Sequence, residues 1–245
     1  SDVYKRQTMG GDIAAVAAMS GYQVTLQDIS ADAIEAAIAR AGTLYERRLK
    51  DPKKAEAAMS RLTADHAGAG LATADLLIEA VAENLEIKRS VFAEAEKRMK
   101  PDAILATNTS AIPLQEIGAA LAAPDRLIGM HFFNPVPVLP LVEVVYTAAS
   151  RPEFVDRAMY VCGAMKKLPV RCMSAPGFLV NRALLPYLFK AIEVMLDGAD
   201  PDMLDEALVR FGMPMGPIEL CDQIGIDVCL GAGQVLGMSE RVEQR

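Results

Sequence analysis

The chain has 245 residues, 52% hydrophobic and 23% charged, with a net charge of −7. That length suffices for one large domain or two modest ones with a sizeable core. The acidic balance argues against a nucleic-acid or anionic-membrane surface. No apolar run approaches the ~20 residues that span a bilayer, and no apolar h-region marks a signal peptide. The four cysteines (Cys162, Cys172, Cys221, Cys229) lie far apart with no CxxC pair. They read as free thiols in a reducing compartment, so the expected location is cytoplasmic and no metal site is expected.

Residues 1–7 (SDVYKRQ) show no periodicity and no continuity with the pattern after them. Helical spacing begins at Met9-Gly10-Gly11 and runs through residues 12–19. Residues 22–27 alternate and read as a strand ending at Asp28. Ser30 is a good N-cap for a long helix over 31–50. Asp51-Pro52 breaks it, a second helix runs to about Leu62, and 65–70 is a loop. DLLIEAV (75–81) reads as a buried strand, and 85–99 as an amphipathic helix ended by Pro101. A strand over 103–107 and a short helix over 113–122 come next. After two further apolar runs come a helix (152–165) and a strand (168–172). Ala175-Pro176-Gly177 breaks the pattern, and beyond it only helices are predicted: 181–196, 203–211, and a segment starting at Gly216-Pro217. Alternating strands and helices, then helices alone, give an α/β, Rossmann-like doubly wound sheet over 1–174 and an all-α domain over 175–245.

The most informative stretch is 102–145. It holds three short apolar runs, each with a polar group that does not suit a core. Residues 104–107 end in Asn108-Thr109-Ser110. Residues 127–130 end in His131. Residues 141–145 carry one carboxylate, Glu143. In open α/β sheets, ligands bind just outside the carboxyl ends of the strands, so Asn108, Ser110 and His131 fall where a site belongs. His131 with Glu143 suggests a base and an orienting acid. Taken alone, His131 also reads as a satisfied core histidine and Glu143 as an edge-strand charge. Ser110 reads equally as an N-cap for a helix over 111–122, and Asn181 as a helix cap or a cleft residue.

A dinucleotide fingerprint is a strand, then G-x-G-x-x-G opening a helix, then an acid ~20 residues on. Here only its end is present. Gly10 opens a helix, and Asp28 stands 18 residues beyond it. Asp28 reads either as a cap or as the acid that bonds the adenosine ribose hydroxyls. As a ribose ligand with no Arg directly after it, it favours NAD over NADP. Glu83 and Lys88 read either as a solvated helix start or as neighbours of the nicotinamide ribose.

ENLEIK (83–88), NTSAIPL (108–114), HFFNPVP (131–137), LVEVV (141–145), PGFLVNR (176–182) and FGMPMGPIEL (211–220) together resemble the L-3-hydroxyacyl-CoA dehydrogenase family, including the dehydrogenase part of multifunctional fatty-acid oxidation enzymes. The resemblance spans about residues 9–237. It implies an NAD domain, a helical C-terminal domain for substrate and dimerisation, and an acyl-CoA substrate. His131 would be the catalytic base and Glu143 its paired acid, with Ser110 and Asn181 holding the substrate's oxygens. Gly10, Met9, Asp28, Glu83, Lys88, Asn108 and Asn134 would contact NAD.

The chain departs from the pattern at KRQTMG, where the family has GAGTMG. The C-terminal domain also stops at Arg245, short of the family's length. The chain is therefore expected to be an incomplete copy, with its first strand missing or replaced. The activity implied is oxidation of (S)-3-hydroxyacyl-CoA to 3-oxoacyl-CoA in fatty-acid β-oxidation, by a homo-oligomer or part of a multienzyme complex. The alternatives are a dehydrogenase of the same fold group acting on a non-CoA hydroxy acid, and a non-catalytic NAD-binding or structural protein. The basic cluster Arg47, Arg48, Lys50, Lys53 and Lys54 reads as a solvated helix face or as a docking site for CoA phosphates.

Overall fold

A computed structural model describes residues 2–235. The chain divides into two compact units, Ser1–Ser174 and Ala175–Arg245.

Unit 1 runs α1 (Asp2–Met19), β1 (Val24–Leu26), α2 (Ala31–Leu49), α3 (Pro52–Met59), β2 (Leu62–Ala64), β3 (Leu76–Glu79), α4 (Leu85–Arg98), β4 (Ile104–Thr107), α5 (Leu114–Gly118), β5 (Leu127–Phe132), β6 (Leu141–Tyr146), α6 (Pro152–Ala164) and β7 (Leu168–Met173). Side-chain caps set the helix starts. Ser30 accepts from the Ala33 amide, Asp51 from that of Lys53 with Pro52 in the first turn, and Asn84 from that of Ile87. Each satisfies an amide that the first turn leaves without a helical partner.

β4 and β5 are buried throughout, as a sheet covered on both faces requires. Side chains alternate across the sheet. Ile104 and Ala106 pack with Ile13 and Val16 of α1 and with Phe154 and Ala158 of α6. Leu105 packs on the other face, with Phe92 and Ala95 of α4 and Ile117 of α5. The α/β layering is the Rossmann-like arrangement expected.

Two features differ from a single, continuous doubly wound sheet. First, the strands form two sheets: β1–β2, and β3–β4–β5–β6–β7. In the order 3-2-1-4-5-6, strand 1 sits between strands 2 and 4. Here those neighbours are β1 and β3, and the break falls between them. Both strands that face the break are partly exposed over most of their length. The segment preceding Met9 is helical instead, continuous with α1. Gly10 therefore lies inside a helix and does not open one, which corrects that reading. Gly11 serves packing: a Cβ there would come within 2.7 Å of Ala37 Cβ, so its absence lets α1 approach α2.

Second, β6 runs antiparallel to β5, while the other pairs in this sheet are parallel. Smaller corrections concern boundaries. α3 stops at Met59, and Leu62–Ala64 is a strand paired with β1. α5 begins at Leu114 with Pro113 before it, so Ser110 is not its cap.

Unit 2 is all helical: α7 (Val180–Leu196), α8 (Pro201–Phe211), α9 (Pro217–Ile224) and α10 (Ile226–Val235). Leu185, Leu188, Phe189, Cys221 and Cys229 form its core. Asp200 caps α8. Asp205 on α8 accepts from the Ile218 and Glu219 amides, capping α9 across the turn. Asn181 lies inside the first turn of α7, so it does not cap that helix. Cys162, Cys221 and Cys229 are buried and Cys172 partly exposed, all as free thiols. Burial pushes the Cys162 thiol up to about 12, so it is a poor nucleophile at neutral pH. Among the described residues, no helix is long and apolar enough to cross a membrane.

Candidate active site

The antiparallel turn-back places His131 directly opposite Glu143 in the β5–β6 ladder. Residues opposite one another in an antiparallel pair point to the same face. His131 Nδ1 and Glu143 Oε2 are 2.6 Å apart. Glu143 is 1% exposed and His131 6%. In a wholly parallel sheet, a residue near the start of β6 would sit at the opposite end from one near the end of β5. The reversal brings both to the carboxyl edge of β4 and β5. The Phe133 ring tilts against the imidazole, with centroids 4.6 Å apart.

Asn108 immediately succeeds β4. Its Oδ1 accepts from the Phe132 amide at 2.8 Å, pinning the end of β5 beside His131. Its own amide donates to the Glu79 carbonyl at 2.7 Å. Ser110, two residues on, is held by Glu83. Glu83 Oε1 accepts from Thr109 Oγ1 at 2.5 Å, from the Ser110 amide at 2.9 Å, and from Ser110 Oγ and the Ala111 amide at 3.3 Å each. Burial pushes the Glu83 carboxyl up. Lys88 and the hydrogen bonds from Thr109, Ser110 and Lys88 outweigh it and hold the group below the usual carboxylate range. The turn is thus held most firmly where Glu83 is ionised, and loosens as the pH falls through that depressed value. Lys88 is 1% exposed, its ammonium 2.8 Å from Glu79 and 3.3 Å from Glu83. It is not the solvated helix residue that spacing alone allowed.

The loop between β5 and β6 carries Asn134, which precedes Pro135. Lys167 donates to the Val136 carbonyl and, at 2.9 Å, to that of Leu139. Arg48, from the basic cluster, donates to the Pro137 carbonyl at 3.2 Å. Burial and the nearby Arg48 charge push the Lys167 ammonium below its ordinary range. Asp28 lies just past β1, and its Oδ1 accepts from the Ser30 amide at 3.0 Å. Met9 packs against the sheet core beside Ile13 and Val16.

The two ends of a dinucleotide site call for polar groups just past the carboxyl ends of strands, and such groups are present. Asp28 stands past the carboxyl end of β1, and Glu83 and Asn108 past those of β3 and β4. The middle does not fit. A pyrophosphate needs the free amides of a helix N-terminus, and α1 runs unbroken through Met9 and Gly10, so their amides are spent inside the helix.

Glu79, Thr107 and Thr109, all buried, do not stand out as candidates in the sequence reading. A signal is present all the same: Glu79 is a lone carboxylate in the apolar run 76–81, the same anomaly that points to Glu143.

Glu143→Gln is expected to lower turnover by ~10²–10⁴, since it keeps shape but removes the charge opposite the imidazole. A melting temperature within a few degrees of the original would show that the loss is chemical. Unchanged turnover would break the pairing.

Residues 7–175 match the family model "3-hydroxyacyl-CoA dehydrogenase, NAD binding domain", and residues 177–245 match that family's C-terminal domain. A 3-hydroxyadipyl-CoA dehydrogenase of Escherichia coli K12 is 44% identical over 230 residues, which cover 90% of this chain and 48% of that protein. The chain therefore spans about half the length of the curated relative it matches. The crystal structure of 3-hydroxybutyryl-CoA dehydrogenase from Escherichia coli K12 superposes with a TM-score of 0.90 at 40% identity, covering 96% of this chain and 52% of that one. That of (S)-3-hydroxybutyryl-CoA dehydrogenase from Ralstonia eutropha gives 0.90 at 32% identity, covering 94% and 83%.

Proposed function

This chain belongs to the 3-hydroxyacyl-CoA dehydrogenase family, and we propose that it oxidises the secondary alcohol of an (S)-3-hydroxyacyl-CoA to a 3-oxoacyl-CoA with NAD. The observation that carries this reading is the buried His131–Glu143 pair, tied to the segment that leads into Ser110 by the hydrogen bond from the Phe132 amide to Asn108. When bound, NAD supplies the hydride acceptor. His131 takes the hydroxyl proton, the general-base role that a neutral imidazole oriented by a carboxylate is suited to. Glu143, as a carboxylate, accepts the Nδ1 proton, which leaves Nε2 as the basic nitrogen and favours the imidazolium that forms. Ser110 orients the substrate oxygen. Asn181 has the same role on its motif match. Glu83, Asn108 and Asn134 line the nicotinamide end, Lys88 backs Glu83 from the core, and Met9 and Gly10 meet the pyrophosphate only once the segment before them ends in Gly-Ala-Gly. A place in fatty-acid β-oxidation, a cytoplasmic location and assembly as a homo-oligomer or within a multienzyme complex belong to the same proposal.

The test compares 3-hydroxyacyl-CoA thioesters with the free 3-hydroxy acids as substrates for NADH formation. It uses the chain with residues 1–7 replaced by a β-branched strand ending in Gly-Ala-Gly, so that the phosphate turn reads GAGTMG. Thioesters are expected to be favoured in kcat/KM by at least ~10², since binding energy from remote substrate parts is realised at the reacting centre. Equal or better turnover of the free acids overturns the substrate class.

Cofactor choice is a separate prediction. Asp28 repels a 2′-phosphate, so NAD is expected to be preferred over NADP, and Asp28→Ala to narrow that preference. Equal kcat/KM for the two cofactors before mutation would refute the assignment.

A further inference from the structure

Three segments of unit 1 meet in a closed hydrogen-bond circuit that the proposed chemistry does not by itself require. Glu79, the last residue of β3, is 3% exposed. Its Oε1 accepts from Lys88 Nζ at 2.8 Å and from the Val81 amide at 2.6 Å, and its Oε2 from Thr107 Oγ1 at 2.7 Å. Lys88 Nζ reaches Glu83 Oε2 at 3.3 Å. Glu83 Oε1 accepts from Thr109 Oγ1, and the Thr109 amide donates back to Thr107 Oγ1 at 3.2 Å. The circuit thus returns to Glu79 through residues at the end of β4 and the first turn of α4.

The energetics of burial give the circuit a direction. An ammonium as buried as that of Lys88 needs a buried counter-charge. Glu83 is 32% exposed at its side chain and also bonds the turn, whereas the Glu79 side chain is fully buried. Glu79 therefore anchors the ammonium from the core side. The ammonium holds one oxygen of Glu83, and the other oxygen meets Thr109, Ser110 and Ala111.

We propose that Glu79 is a positioning residue: it fixes Lys88, Lys88 fixes Glu83, and Glu83 sets the Ser110 turn that receives the substrate oxygen. The last step rests on the dehydrogenase reading above; the others do not. Glu79 touches no reacting atom. Its carboxylate reaches the turn through Lys88 and Glu83 on one side and through Thr107 and the Thr109 amide on the other, which separates it from a buried ion pair serving stability alone.

The test reads the turn directly, by amide hydrogen exchange at Ser110 and Ala111 in the ligand-free protein. Glu79→Gln is expected to raise exchange at these two amides about tenfold, the scale of one charge-assisted hydrogen bond, with amides in α6 unchanged. Because that variant leaves a buried ammonium short of a partner, Glu79→Gln/Lys88→Met is measured beside it, removing both charges at similar volume. It is expected to fold and to show the same rise. Unchanged exchange in the double variant overturns the proposal. So does its failure to fold, which would make the pair a folding element. In the Gly-Ala-Gly protein with NAD saturating, kcat should fall about tenfold in the double variant, with little further loss when Ser110→Ala is already present. Additive losses overturn the link to Ser110. Raised exchange in a protein that forms no NADH from any thioester leaves the positioning role standing and overturns the dehydrogenase reading instead.

Discussion

Replacing residues 1–7 with a β-branched strand ending in Gly-Ala-Gly is expected to raise the melting temperature by ~6–12 °C and to tighten NAD binding at least tenfold. The break between β1 and β3 is the reason. Each strand is paired on one side only, β1 with β2 and β3 with β4, and both are partly exposed where the middle of a doubly wound sheet would be buried. A strand placed between them forms ladders on both sides, and each added hydrogen bond contributes ~0.5–1.5 kcal/mol net. Against this stand the ordering entropy of the strand and the loss of the first turns of α1. A net gain of ~3 kcal/mol corresponds to ~6–12 °C for a chain of this size. The gain in affinity has a different origin. Ending the strand in Gly-Ala-Gly makes Thr8-Met9-Gly10 the start of the helix, which frees its first amides for a pyrophosphate. A rise under 2 °C with unchanged NAD affinity would mean that the gap between β1 and β3 limits neither property.

His131→Ala is expected to lower turnover by ~10²–10⁴ in the same background, the range for removal of a general base. That is ~2.7–5.5 kcal/mol of barrier. The substitution deprives Glu143, 1% exposed, of the nitrogen 2.6 Å from its Oε2. A drop in stability is therefore expected alongside the drop in rate, and the two are separated by measuring NAD affinity and the melting curve of the variant. NAD affinity should change little, because in the proposed chemistry the imidazole faces the alcohol and the cofactor is held by Asp28, Glu83 and Asn108. Turnover within threefold of the unsubstituted protein, ~0.65 kcal/mol, would remove His131 from the mechanism.

Much of this site is legible in the sequence, because its residues break the local rule around them. Asn108, His131 and Glu143 are polar groups in or against apolar runs, and burying such a group is costly unless something binds it. The strands that carry them, β4, β5 and β6, and the helices capped by Ser30, Asp51 and Asn84 arise from local chemistry: apolar runs of strand length, and side chains that satisfy first-turn amides. The change from alternating strands and helices to helices alone near Ala175 is equally local. The unsuitability of residues 1–7 for a central strand is local too, since Asp2, Lys5 and Arg6 cannot line a buried ladder.

What only the tertiary structure decided are relations between segments distant in the chain. Side chains alternate with the same period in parallel and antiparallel strands, so no pattern within 141–146 announces that β6 turns back on β5. Yet that reversal is what puts Glu143 against His131. β2 is three residues long, too short to show a period, and exists because β1 offers it a ladder. Ser110 passes for a helix cap in sequence because its hydroxyl suits that role, but a distant carboxylate, Glu83, holds the turn. Lys88 looks like a solvated helix residue by spacing and is instead 1% exposed. A charge is stable there because Glu79, nine residues earlier and on another element, and Glu83 supply its partners, and such compensation exists only once the chain has folded.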